Sequence, residues 1–139
     1  MAHAAKTVPT DAKVSAFLQG LDNEKRQAES SQLIEVMQRL SGEPATMWGP
    51  SIIGFGKYDY TYGSGHSGTS MRVGFSPRKA AMTVYIVPGF ENKAALLEQF
   101  GPHTIGKSCL YVKDLSKVDL IVLEEILSIS LKEMAVRYP

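Results

Sequence analysis

One cysteine, Cys109, stands in 139 residues, which excludes an internal disulfide and with it the cross-linked build of small secreted domains. The amino terminus MAHAAKTVPTDAK lacks the apolar core of a secretory signal, and the two absences together point to a reducing, cytoplasmic setting. Long apolar runs are missing as well. The greasiest stretch, Val118 to Met134, is broken by Asp119, Glu124, Glu125, Lys132 and Glu133, so it falls short of the roughly 18 unbroken residues of a membrane span. Nor is there an excess of charge. Fifteen Lys and Arg against fourteen Asp and Glu give a net +1, and the basic residues are scattered (Lys25, Arg26, Arg39, Arg72, Arg78, Lys79, Lys107), so neither nucleic acid nor an anionic membrane is an expected partner.

What is present reads as one globular domain over 1–139, with residues 1–9 a flexible N-terminal segment. Pro9-Thr10-Asp11 starts a first helix with Thr10 as N-cap, and Val14, Phe17, Leu18 and Leu21 line its inner face. Asp22 caps a second helix with the stripe Leu33, Ile34, Met37 and Leu40, stopped by Gly42 and Pro44. Glu43 to Pro50, with two prolines and Trp48, is expected to be a packed connection.

From Ile52 the period changes to two. Tyr58, Tyr60 and Tyr62 share one face of a strand, glycines at 63, 65 and 68 make a turn, and Met71, Val73 and Phe75 alternate with Arg72 and Gly74 on the return. Ala81 to Val87 adds a third antiparallel strand, Asn92 to Phe100 a short helix, and Ile105 to Val112 a fourth strand. Ser116 and Asp119 resemble a capping box for a last helix to about Val136, whose Val118, Ile121, Val122, Ile126 and Ile129 should lie on the sheet. The expected fold is α+β, an antiparallel sheet of about four strands packed on helices.

Gly63-Ser64-Gly65-His66-Ser67-Gly68 is formally G-x-G-x-x-G. The chain after it is β-patterned, whereas a dinucleotide fingerprint must open a helix, so the loop reads as a hairpin turn. His3, His66 and His103 stand in separate segments without metal-ligand spacing to Cys109, and no serine sits in a nucleophile elbow, so no catalytic or metal residue and no cofactor is expected. Cys109 in a strand is first a small core residue; Lys107, two positions earlier on the same face, is the one feature favouring a thiolate.

The constellation with most chemical content is a sheet face carrying Tyr58, Tyr60, Arg72, Lys107, Cys109 and Tyr111, with Arg78 and Lys79 in an adjacent turn. Aromatic and cationic groups on one surface suit a flat or anionic small molecule. The plain alternative is the half-solvated side of an antiparallel sheet.

The blocks Trp48-Gly49-Pro50, Ile52-Ile53-Gly54-Phe55-Gly56 with Tyr58, Gly74-Phe75-Ser76-Pro77-Arg78-Lys79 and Gly106-Lys107-Ser108-Cys109-Leu110-Tyr111 resemble the YdhG-like family over about Pro44 to Ile129. Most of that family is filed as a domain of unknown function, and the resemblance implies a small cytoplasmic α+β domain. One branch is associated with a frataxin-like iron-chaperone role. Iron binding of that kind uses an acidic ridge, which this sequence lacks, so no iron ligand carries over. The expected function is a non-enzymatic small-ligand-binding domain. The alternatives are a frataxin-like iron chaperone and an enzyme of unknown reaction. The unusually apolar last helix leaves a homo-oligomer open.

Overall fold

The computed structural model describes residues 9, 10, 12–61 and 67–139. The segment expected to be flexible up to residue 8, Tyr62, and the loop positions Gly63, Gly65 and His66 lie outside the described residues. Two helices open the chain, α1 (Val14–Gln19) and α2 (Glu24–Ser41). Thr10 does not cap α1. Its N–H bonds to the Met47 carbonyl at 2.9 Å and Pro9 bridges Trp48, so this segment is drawn alongside a strand and the helix starts later, at Val14 with Lys13 in the N-cap position. Helix α2 is capped by Asn23 rather than Asp22, its side chain accepting from the Arg26 N–H at 3.0 Å, and it ends at Gly42 with φ 71°, a left-handed conformation that suits glycine.

The strands are β1 (Ala45–Trp48), β2 (Ile52–Phe55), β3 (Tyr58–Thr61), β4 (Ser67–Ser70), β5 (Val73–Pro77), β6 (Met82–Tyr85), β7 (Thr104–Ile105) and β8 (Cys109–Val112). Helix α3 (Ala94–Phe100) joins β6 to β7, and α4 (Leu120–Arg137) closes the chain. Six strands form an antiparallel sheet in the order β1-β2-β5-β6-β8-β7, and β3 and β4 pair separately. The four-strand expectation therefore undercounts. The stretch between Pro44 and Pro50 is edge strand β1, and Ile52 to Tyr62 is interrupted at Gly56, whose φ of 71° breaks the pleat. Ile105 to Val112 is a tight hairpin, closed by the Gly106 N–H on the Cys109 carbonyl. Asp119 caps α4 by itself, accepting from the N–H groups of Ile121 and Val122, while Ser116 turns back to Asp114.

Period two decides the two faces of the sheet. Met47, Ile53, Phe55, Val73, Phe75, Met82, Val84, Leu110 and Val112 are buried toward the helices, meeting Leu33, Val36 and Met37 of α2 and Val122, Leu123, Ile126 and Leu127 of α4. Neither Ile129 nor Ile121 is among them. Ile121 is 72% exposed, because the inward stripe of α4 runs through Val122, Ile126 and Ser130, and Ile121 lies across the helix from it. On the other face, Trp48 lies over Gly54, which pairs across the strands with Gly74, and the Met71 sulfur sits against both glycine positions. A Cβ on Gly54 would come 2.5 Å from Trp48 Cδ1, so only a glycine lets the indole rest on the strand. No helix among the described residues is long and apolar enough to cross a membrane.

Two charged pairs are locked into this frame. Arg26 and Glu29, each 5% exposed, pair with one another on α2. Arg26 also donates to the carbonyls of Arg78 at 2.9 Å and Lys113 at 3.2 Å, and Glu29 accepts the Leu115 N–H at 2.8 Å. Lys93, fully buried ahead of α3, pairs with Glu133 of α4 and ties the two helices together.

Candidate functional site

The expected face divides in two. Tyr58, Tyr60 and Arg72 stand at the helix side of the molecule. Tyr58 packs on Tyr138 with ring centroids 4.4 Å apart and on Tyr60 at 6.1 Å, and Arg72 donates to the carbonyls of Lys57 and Tyr138. The break at Gly56 and the turn at Met71-Arg72 take this hairpin out of the main sheet, so its residues do not share a face with the far strands.

Arg78, Cys109 and Tyr111 do come together, on the face of the sheet opposite the helices. Cys109 pairs with Tyr85 across β6 and β8, and Tyr111 pairs with Thr83, all pointing away from the core residues Val84, Leu110 and Val112. Burial holds the Tyr85 phenol above its ordinary range, and the Arg78 guanidinium opposes that shift by its charge and a side-chain hydrogen bond. Tyr111 is also held above its ordinary range, chiefly by a side-chain hydrogen bond with the Cys109 sulfur and by the nearness of that group. Both phenols therefore stay protonated through neutral pH and can donate to an acceptor beside a guanidinium. Lys79 is exposed in the β5–β6 turn, and Lys107 is exposed in the β7–β8 turn next to Gly106, whose Cβ position would lie 3.4 Å from the Tyr111 hydroxyl.

Tyr111 also lines a cleft of about 510 Å3 at the end of these strands. Ala80, Ala81 and Pro102 give it a mostly apolar wall, and His103, Thr104, Lys113, Asp114 and Lys117 complete it. Its one carboxylate is already engaged. Asp114 accepts from the Ser116 hydroxyl and N–H and faces Lys25 at 3.4 Å, and the Ser116 bonds in particular hold its pKa below the usual carboxylate value. Neither Lys113 nor Lys117 makes an ion pair among the described residues. His103 places Nδ1 2.7 Å from the Gly101 carbonyl, a bond that requires the proton on Nδ1 and leaves Nε2 as the acceptor in the neutral ring. The cleft thus combines apolar walls with unneutralised ammonium groups.

A larger, more open depression of about 560 Å3 lies between α2 and the start of α4, but its charged residues Lys25, Glu29 and Asp114 are committed to partners. Among the described residues no three of His, Cys, Asp and Glu are placed to hold a metal ion. The G-x-G-x-x-G stretch joins two antiparallel strands, and Gly68 lies within β4 under the Tyr60 ring, 2.5 Å from its hydroxyl if a Cβ were added.

Sequence reasoning missed Tyr85, Lys113 and Lys117. Tyr85 was accessible from period two, since it alternates with Val84 and Ile86; the lysines are brought to the cleft by the turn after β8, which leaves no periodic signal. No family model, curated protein or solved structure matches the chain.

Proposed function

We propose that the chain is a non-enzymatic binding domain for a small anionic ligand with an apolar or aromatic body, held in the cleft beside Tyr111 on the open sheet face. The observation that carries this is the pairing of a mostly apolar wall with Lys113 and Lys117, while Asp114 is held by Ser116 and Lys25. A volume near 510 Å3 suits a small molecule, whose sites run from about 300 to 1,000 Å3. The apolar body would rest on Ala80, Ala81, Pro102 and the Tyr111 ring, and the acidic group would meet the ammoniums, with the Arg78 and Tyr85 groups extending the same face. The YdhG-like reading belongs with this proposal, since the block Gly106 to Tyr111 that carries part of the resemblance also supplies Cys109 and Tyr111. The iron-chaperone alternative rests on the resemblance alone.

The test is a thermal-shift screen of aromatic and aliphatic carboxylates, followed by calorimetry. At about 100 times Kd a ligand adds roughly 2.7 kcal/mol, which for a domain of this size raises Tm by about 10 °C. Lys113→Ala with Lys117→Ala should remove that shift while leaving the free protein's Tm nearly unchanged, both side chains being exposed. A ligand whose shift survives this double change and Tyr111→Ala binds elsewhere, and the proposal then fails.

A further inference from the structure

The outward side of α4 carries two of the most exposed large aliphatic residues of the described chain, Ile121 at 72% and Val136 at 82%. They lie on one stripe. At 100° per residue Ile121, Glu125, Ser128, Ile129, Lys132 and Val136 fall within about a quarter of the helix circumference, opposite the buried stripe of Leu123, Leu127, Ser130 and Met134. Its two ends are apolar, its amino-terminal half is acidic at Glu125 and its carboxy-terminal half is basic at Lys132.

We infer that this stripe is a self-association surface on which α4 of one copy lies antiparallel to α4 of a second copy, about a two-fold axis between Ser128 and Ile129. The sequence order is what selects a second copy as the occupant. In that register Ile121 faces Val136 of the other copy and Glu125 faces its Lys132, and each contact occurs twice, as an isologous interface requires. The same register brings Glu124 opposite Glu133, a pair that would repel if both were uncompensated. Each has a cation within its own chain: Glu124 shares Arg39, at 3.1 Å, with Glu35, and Glu133 holds the buried Lys93. A shallow depression of about 320 Å3 bounded by Ile129, Lys132, Glu133, Val136 and Arg137 lies where the incoming Ile121 would seat. A parallel pairing would instead set Glu125 against Glu125 and Lys132 against Lys132.

Eighteen residues of helix span about 27 Å, and a stripe about 10 Å wide along it offers roughly 300 Å2 per copy against the about 800 Å2 of a standard interface, so the dimer should be weak and concentration-dependent. Sedimentation velocity of the full chain from about 10 μM to 1 mM should show a monomer passing to a dimer. Glu125→Lys alone and Lys132→Glu alone place like charges together twice per dimer, and each should weaken association by tenfold or more. The double variant Glu125→Lys with Lys132→Glu restores the pairing and should bring the dimer back, while Ile121→Asp should abolish it. All three positions are at the surface, so unchanged melting curves of the variants separate lost association from lost folding. A chain that stays monomeric to 1 mM, a dimer indifferent to the single charge reversals, or a double variant that fails to recover would each overturn the inference.

Discussion

Replacing Arg26 with methionine removes a buried guanidinium and leaves most of its volume filled, which isolates the electrostatic part of its role. In the native protein Arg26 compensates Glu29 and spans two turns, donating to the Arg78 carbonyl after β5 and to the Lys113 carbonyl after β8. After the change Glu29 keeps, among the described residues, only the Leu115 N–H, at 2.8 Å. Breaking a buried pair from one side costs about 3–5 kcal/mol, a fifth or more of the about 5–15 kcal/mol that holds a domain together. With a urea m-value of about 2 kcal/mol/M the midpoint should fall by about 2 M. Replacing both partners, Arg26→Met with Glu29→Met, removes the uncompensated carboxylate and should recover part of the loss. It should remain below the parent by about 1–3 kcal/mol, because the Leu115 N–H and two carbonyls lose their partners. Urea unfolding followed by circular dichroism supplies all three values. The reasoning is refuted if the single change costs under about 1 kcal/mol or if the double is no more stable than the single. The two turns joined by Arg26 also carry Ala80, Ala81, Lys113 and Lys117, so any ligand of the cleft should bind the single variant more weakly even where it remains folded.

Gly54→Ala should expel Trp48 from its seat and destabilise by about 1–3 kcal/mol, with a red shift in fluorescence that reports directly because Trp48 is the only tryptophan. Lys93→Met should be close to neutral, since Glu133 reaches solvent at 24% exposure, whereas Glu133→Gln strands a buried ammonium and should cost about 3–5 kcal/mol; equal effects in urea unfolding would contradict the asymmetry. Asp119→Ala removes the cap of α4 and should cost about 1 kcal/mol by the same measurement. Because Ser116 depresses the folded-state pKa of Asp114, that carboxylate's contribution is present above the ordinary carboxylate range and is lost as pH falls through the depressed value; Ser116→Ala should raise the Asp114 titration midpoint seen by NMR.

The helices and the helix-facing side of the sheet were legible because burial writes itself into period. Val73 with Phe75, Met82 with Val84, and Leu110 with Val112 each repeat every second residue, and each pair lies in the core. Trp48 was not legible. Two prolines within seven positions argue for a connection, yet Pro44 and Pro50 both fall just outside the four residues that pair with β2, where the missing N–H costs nothing to the ladder. Helix α4 shows the opposite error. Hydrophobic residues occur all round it, so its sequence does not separate the inward stripe from the outward one, and the expected stripe carries Ile121 on the wrong side.

The candidate face failed in part for a reason intrinsic to sheets. Period two fixes which residues of a single strand point the same way, but whether two strands share a face depends on register, and a single interruption reverses everything beyond it. Gly56 with its φ of 71° is such an interruption, and it carries Tyr58 and Tyr60 onto a separate two-stranded ribbon. Between β6 and β8 no interruption intervenes, so Tyr85, Cys109 and Tyr111 stay on one face, and Arg78 reaches it from the turn at the end of β5. The part of the expected face that stays together is therefore the part whose strands are direct neighbours. The two lysines of the cleft come from the turn that follows β8, and that turn is positioned from behind the sheet by Arg26 and Glu29. A charged pair at i and i+3 near the start of a helix has the same sequence whether it is exposed or buried. Only the carbonyls of Arg78 and Lys113, brought in from elsewhere in the chain, make it the support of the cleft.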